Sequence, residues 1–338
     1  MTTRIAVMGA TGYTALELLT LLARHPHAEV VLVTTRQPDA PALSEVHPRL
    51  KDVYDLNLTQ IHPQQIMDEA EFVFSCLPHA ASAETVAPLV DAGLKVVDFS
   101  ADYRLRDAAV YEQWYGTEHP DPTRLGTVPY GLPELYREEI RVASLVANPG
   151  CYPTSVILPL IPLLKAKTIA PGDIIVDSKS GVTGAGRTAA LPFHYPEANE
   201  NLKAYGVGNH RHTPEIIQYC SLAAEADVDV IFTPHLAPMN RGILSTCYVT
   251  PSDGCQASDA IGVLRQHYEG EPFVRVLDQP PETKNVTGTN YCDLFVATSG
   301  SRLVVMSCVD NMVKGASGAA VQNFNLMCGY NEQMGLES

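Results

Sequence analysis

Three short strings in this 338-residue chain carry residue types that can do chemistry. The first is Asn148-Pro149-Gly150-Cys151-Tyr152-Pro153-Thr154. A cysteine that follows a Pro-Gly turn and opens an apolar, helix-like segment sits where backbone N–H groups and the positive helix end favour a thiolate. A core cysteine has no need of such a turn, so Cys151 is expected to be a nucleophile. The other seven cysteines (76, 220, 247, 255, 292, 308 and 328) lack this setting and read as reduced, buried small hydrophobes. No two cysteines form a C-x-x-C pair, which removes the usual zinc-ribbon and redox spacings.

The second string is His210-Arg211-His212-Thr213-Pro214-Glu215. Histidines at i and i+2 point the same way on an extended segment, and Thr-Pro-Glu reads as a helix start with Pro in its first turn. No further ligands follow at a zinc-like spacing, so no metal is expected. Proton transfer by a histidine, with Glu215 orienting it, is the chemistry this pattern suits. The string alone leaves His210 and His212 both open, with His212 the expected acid/base.

The third is Gly9-Ala10-Thr11-Gly12-Tyr13-Thr14-Ala15, placed between a strand and a helix. Glycines there permit a tight turn and close backbone approach to a pyrophosphate, which then rests on the helix N-terminus. An acidic residue ending the next strand would take the ribose 2′-hydroxyl of NAD. This chain instead reads Thr34-Thr35-Arg36, with no carboxylate until Asp39, which suits a 2′-phosphate and hence NADP(H). Arginines also stand near strand ends in Ser178–Arg187, Pro238–Gly242 and Asp98–Arg104, where Arg187, Arg241 and Arg104 could hold an anionic substrate.

These strings must be positioned by a scaffold, and the apolar periodicity supplies one. Strand 4–8, helix 15–23 and strand 29–34 make one βαβ unit, and strands 72–75 and 96–99 flank a helix over 80–91. Residues 104–141, rich in Tyr, Pro and Gly, read as a looped connection. Beyond a strand at 142–147, a helix is expected over 155–164 despite its prolines. Strands then follow at 173–177, 228–233, 243–249, 273–276, 292–298 and 302–309, several spaced for antiparallel pairing. A last helix covers 311–327. The expected architecture is an α/β Rossmann nucleotide-binding domain over 1–149, completed by the C-terminal helix 311–338. An α+β substrate and oligomerisation domain over 150–310 would carry a mixed, largely antiparallel sheet.

Composition excludes several classes. Hydrophobic residues at 46% and charged residues at 18% leave no case for disorder. A net charge of −15 argues against a general nucleic-acid binder. No apolar run is long enough to span a membrane, and the first residues do not read as a signal peptide, so a cytoplasmic protein is expected. Such an acidic chain repels anions at long range, so its basic residues should gather at the site. Arg36, Arg104, Arg187, Arg211, Arg241 and Lys314 all fall inside motifs named here or in the next paragraph.

Taken together the strings resemble the N-acetyl-γ-glutamyl-phosphate reductases, relatives of aspartate-semialdehyde dehydrogenase with a glyceraldehyde-3-phosphate dehydrogenase-like plan. The matching pieces run in order along the chain: GATGYTA at 9–15, LPH at 77–79, DFSADYRL at 98–105, YGLPEL at 130–135, NPGCYPT at 148–154, SGVTGAGR at 180–187, HRHTPE at 210–215, PHLAPMNRG at 234–242 and DNMVKGASGAAVQNFN at 310–325. Ala15 stands where the family commonly has Gly. The resemblance implies NADPH-dependent reduction of an acyl phosphate to a semialdehyde in arginine biosynthesis, through a thioester on Cys151. It further implies that Leu77, Pro78, His79, Ser180, Gly181, Asn311, Lys314 and Gly315 face the cofactor. Arg104, Asn148, Arg187, Arg211 and Arg241 would face the substrate, and the chain would form a homodimer or homotetramer. A lysine-pathway reductase acting on an aminoadipyl phosphate is the alternative within the same chemistry, and a non-catalytic NADP-sensing regulator the alternative outside it.

Overall fold

The structure is a computed structural model that describes residues 2–37 and 41–337; Asp39, read above as the first carboxylate after Arg36, lies outside the described residues. The chain divides into two compact units, one of Met1–Pro149 with Ala316–Ser338 and one of Gly150–Gly315. The return to the first unit therefore comes at 315/316, later than the 310/311 expected.

In the first unit the elements are β1 (Thr3–Met8), α1 (Tyr13–Leu22), β2 (Ala28–Thr35), α2 (Leu43–Val46), β3 (Leu58–Gln60), α3 (Pro63–Glu69), β4 (Phe72–Ser75), α4 (Ser82–Asp91), β5 (Lys95–Asp98), α5 (Ala108–Tyr115), α6 (Pro133–Val142) and β6 (Leu145–Ala147). The strands form one parallel sheet ordered β3-β2-β1-β4-β5-β6, the doubly wound order that leaves a ligand crevice at the strand carboxyl ends. All four residues of β4 and the last four of β1 are buried, as strands covered on both faces must be. The stretch 104–141 is not the loop expected from its Pro and Gly content. It holds α5, capped by the Asp107 side chain and ended by Gly116 at φ 71°, and α6, which begins at Pro133. Each buries few residues, Tyr111 in α5 and Pro133, Glu134 and Ile140 in α6, so there is little apolar run to read.

The second unit contains α7 (Cys151–Lys165), β7 (Ile174–Ser180), α8 (Tyr195–Ala198), β8 (Lys203–Ala204), α9 (Thr213–Ala224), β9 (Val230–Leu236), β10 (Ile243–Val249), α10 (Ala257–His267), β11 (Val274–Val276), α11 (Thr283–Val286), β12 (Cys292–Ser299) and β13 (Arg302–Val309). Its sheet is ordered β11-β12-β13-β10-β7-β9-β8, antiparallel except for the β7–β9 and β11–β12 pairs. Helix α7 packs on β10 and β13 and against α9 and α10. It is buried from Tyr152 through Leu164, which is why an apolar run with Pro159 and Pro162 still forms a helix. The chain then returns to the first unit through α12 (Gly318–Cys328), which packs on α1, α6 and β5. A π-helical turn at Val313–Ser317 precedes it, so the expected single helix from 311 is shorter and interrupted.

Candidate active site

In the second unit the fold brings Cys151, His210, His212 and Glu215 together. Cys151 is the first residue of α7, with Gly150 as the N-cap. Its sulfur therefore stands at the positive end of a 15-residue helix. Among the other thiols, burial pushes Cys220 and Cys308 up to about 12 and Cys328 up to about 11, which keeps them protonated and inert. Glu215, 1% exposed on the first turn of α9, accepts the Gly150 N–H at 2.9 Å. That bond ties the start of one helix to the turn that carries Cys151.

The histidines differ. A Cβ on Gly150 would lie 2.6 Å from Nε2 of His212, so only glycine lets that ring reach the peptide preceding Cys151. His210 is set behind it: its Nδ1 accepts the His212 N–H at 3.1 Å, and its ring sits edge-on to Tyr152, Tyr205 and Phe232. Burial, with Arg211 adding to it, lowers the His210 imidazole to about 4. Because Nδ1 is an acceptor, the neutral ring carries its proton on Nε2. Tyr152, whose hydroxyl accepts from Tyr205 at 3.0 Å and donates to the His235 carbonyl at 3.3 Å, was missed from sequence. Its place directly after the nucleophile was the available signal.

A second cluster in this unit braces the basic residues. Asn311 accepts the Gly242 N–H at 2.8 Å through Oδ1 and donates to Thr183 Oγ1 at 3.0 Å through Nδ2. It thereby joins the Ser180–Arg187 and Asn240–Gly242 loops. Asp310, fully buried and also missed, accepts the Gly288, Met312 and Val313 N–H groups and faces the Arg241 guanidinium at 3.6 Å. Gly315 lies against Cys151: a Cβ there would meet Cys151 Cβ at 2.9 Å. Lys314 is fully buried, with Nζ 5.7 Å from the Phe273 ring centre. Ser180 and Gly181 are buried at the end of β7, while Arg187 and Arg211 are exposed.

In the first unit the glycine turn has the shape a dinucleotide needs. Gly9 has φ +72°, and a Cβ there would strike the Cys76 carbonyl at 2.7 Å. Gly12 is different: a Cβ would meet nothing nearer than Thr14 Oγ1 at 3.8 Å. As the N-cap of α1, Gly12 offers no side chain to the first amides of the helix. Glycine at 12 thus serves no packing need of the chain itself and leaves a cradle over Thr11, Tyr13 and Thr14 that a pyrophosphate fits. At the end of β2 the Thr34 carbonyl accepts the Ala10 N–H at 2.9 Å, Thr35 is buried and Arg36 is exposed. Thr35, Arg36, Gln60, Ile61, Pro63, Glu84, Thr85 and Pro88 line a cavity of about 410 Å³ there. The Leu77-Pro78-His79 loop follows β4, with Leu77 buried and Pro78 exposed. Two of the expected substrate residues are buried and hydrogen-bonded within this unit. Arg104 is only 5% exposed and donates to the Phe99 and Asn148 carbonyls, each at 2.7 Å. Asn148 donates to the Ala316 carbonyl at 3.0 Å and accepts from Asn323 at 3.3 Å. Buried side chains committed to such bonds brace the loops after β5 and β6.

Comparison with known proteins agrees with both halves. Residues 4–143 match the family model for the semialdehyde dehydrogenase NAD binding domain, and residues 151–311 match that for the semialdehyde dehydrogenase dimerisation domain. The chain is 51% identical to the N-acetyl-gamma-glutamyl-phosphate reductase of Rhodopirellula baltica, covering 98% of each chain. It is 49% identical to the protein of that name from Geotalea daltonii, over 99% of this chain and 98% of the relative. Among solved structures, an aspartate semialdehyde dehydrogenase with NADP from Candida albicans superposes with a TM-score of 0.74 at 16% identity, covering 97% of this chain and 99% of that one. Aspartate semialdehyde dehydrogenase II from Vibrio cholerae gives 0.74 at 17% identity over the same shares. At such identities the likeness concerns the fold.

Proposed function

We propose, from the premise that this chain belongs to the N-acetyl-γ-glutamyl-phosphate reductase family of the semialdehyde dehydrogenases, that it reduces N-acetyl-glutamyl 5-phosphate to N-acetyl-glutamate 5-semialdehyde with release of phosphate. The observation that carries the mechanism is the Gly150 turn, where Glu215 holds the peptide N–H, His212 lies against the glycine and Cys151 opens α7.

An acyl phosphate is a mixed anhydride with a good leaving group, and a thiolate is the matched nucleophile. Cys151 attacks the acyl carbon, and the C–O bond to phosphate breaks to leave a thioester. His212 gives and takes the proton on the carbonyl oxygen, a role worth roughly 10²–10⁴ in rate. His210, neutral and hydrogen-bonded to the His212 backbone, fixes that ring and does not itself shuttle protons. Glu215 holds the nucleophile turn at the Gly150 amide. The cavity at Thr35 and Arg36 and the Gly9–Thr14 turn hold NADPH, which when bound supplies the hydride. Arg241, backed by the Asp310 carboxylate, is the substrate-anion contact, with Arg187 and Arg211 the exposed cations of the same unit. The second unit carries the association of copies into a homodimer. Its test is phosphate-dependent oxidation of N-acetyl-glutamate semialdehyde, followed as NADPH formation. Turnover that needs both phosphate and NADP is expected, and turnover without phosphate would overturn the acyl-phosphate assignment.

A further inference from the structure

The loops that follow β4 and β5 lie side by side at the carboxyl ends of two neighbouring parallel strands, with Ser75 opposite Asp98. The first, Cys76–Ala81, contains a backbone conformation that L-residues rarely adopt: Ala80 has φ +62°. It also begins α4 badly, because Ala81 at the N-cap has no side chain able to take the first amides. Both deficits are met from the second loop by one fully buried carboxylate. Asp102 Oδ1 accepts the Ala80 N–H at 2.8 Å, and Oδ2 accepts those of Ser82 at 3.1 Å and Ala83 at 3.0 Å. Tyr111 donates its hydroxyl to Oδ1 at 2.8 Å. The tie runs the other way as well, since the Ala101 N–H donates to Nδ1 of His79 at 2.9 Å. The His79 ring meets Tyr115, which stacks on Tyr111. Asp98, beneath, takes Ser82 Oγ and Ser100 Oγ, each at 2.6 Å.

We propose that Asp102 is a positioning residue for the cofactor: it latches the Leu77–Ala81 loop, through the Ala80, Ser82 and Ala83 amides, in the strained form that presents Pro78 and His79 to the nicotinamide end of NADPH. The proposal rests on the reading of Leu77–His79 as a cofactor contact. Without the carboxylate the loop relaxes, and apparent affinity falls by the fraction of molecules that still hold the competent form.

The test compares Asp102→Asn with wild type by NADPH fluorescence titration, and separately by single-turnover phosphate release from the acyl phosphate without NADPH. The side-chain amide of Asn puts an N–H where Ser82 and Ala83 need an acceptor. If about a tenth of molecules keep the competent loop, the NADPH Kd rises about tenfold, while the phosphate burst, which needs only Cys151 and its neighbours, stays as in wild type. In an Ala80→Gly background the penalty of Asp102→Asn shrinks, because glycine adopts positive φ freely. Should Asp102→Asn not fold, Tyr111→Phe removes one bond to the same carboxylate and should raise Kd about twofold or more with the burst intact. Unchanged Kd, or Kd and burst failing together, overturns the latch. A wild-type protein that neither binds NADPH nor releases phosphate would instead overturn the underlying functional reading.

Discussion

Residue type and local surroundings decide chemistry at this site more than sequence proximity does. Of the seven other thiols, Cys220, Cys247, Cys292 and Cys308 are buried as expected while Cys76, Cys255 and Cys328 are only half-buried; Cys151 differs from all of them by opening a 15-residue helix, and the expected consequence is sharp. Cys151→Ser should abolish reduction, with a loss of about a thousandfold or more in kcat, while NADPH titration remains normal because the first unit is untouched. Retained turnover in that variant would remove the thioester mechanism. The two histidines show the same dependence on surroundings. A His210 imidazole lowered to about 4 from 6.5 means that between those values the unfolded chain binds a proton the folded chain refuses. Stability therefore rises with pH through this window and is lost as pH falls from about 6.5 towards 4. His210→Asn keeps an acceptor for the His212 N–H but does not titrate. Urea midpoints measured across this range should fall less steeply for the variant than for wild type. Parallel curves would mean that His210 already titrates normally in the native state.

At the scale of elements, long periodic segments were legible and compensated ones were not. Strands 243–249 and 302–309 stand where apolar patterning places them, and α7 is announced by its apolar run although it begins at Cys151, ahead of the run itself. By contrast α5 and α6 hide inside a stretch dominated by Tyr, Pro and Gly: α5 is short and only weakly amphipathic, whereas α6 is amphipathic but so polar that its buried residues are just Pro133, Glu134 and Ile140. The place of Cys151 at the start of a helix was legible from its own string, whereas contacts that depend on a partner far along the chain were not. Nothing in the strings shows that Arg104 and Asn148, expected at the substrate, donate to backbone carbonyls, or that Asp102 and Asp310 collect backbone amides. Asn311 illustrates what such bracing is worth. Its two bonds join the Ser180–Arg187 and Asn240–Gly242 loops, and Asn311→Ala would orphan the Gly242 N–H. A buried unpaired donor costs about 1–3 kcal/mol, enough to raise local opening roughly tenfold. Limited trypsin digestion, which reads cleavage after the exposed Arg187, should accelerate by about that factor in the variant. An unchanged rate would show that the loop is held by other contacts.

For the whole molecule the informative tension lies between charge and association. A chain of net charge −15 repels its own copies, so a stable interface needs apolar surface that outweighs the repulsion. The sheet of the second unit offers such a surface on the face away from α7. Register aligns Val304, Tyr248, Ile175 and Ile231 across four neighbouring strands, and Ile231 is 58% exposed, Tyr248 39% and Ile175 38%. Scattered exposed apolar residues are ordinary, whereas Tyr248, Ile175 and Ile231, adjacent across three strands beside the buried Val304, form a row of the kind an interface uses. The neighbouring polar positions are arranged to tolerate burial: Asp177 lies 2.8 Å from Lys179 and 3.1 Å from His235, so its charge meets a partner within the same protomer. That residues 151–311 match a dimerisation domain fits this face. Ile231→Glu places a carboxylate in the middle of the row, where pairing two acidic copies would bury it unpaired. Sedimentation equilibrium should then show monomer at concentrations where the wild-type protein is dimeric. Because the attraction is apolar and the repulsion electrostatic, added salt should hold the wild-type dimer together or tighten it. A wild-type dimer that salt dissociates, or one that Ile231→Glu leaves intact, would place the contact elsewhere on the surface.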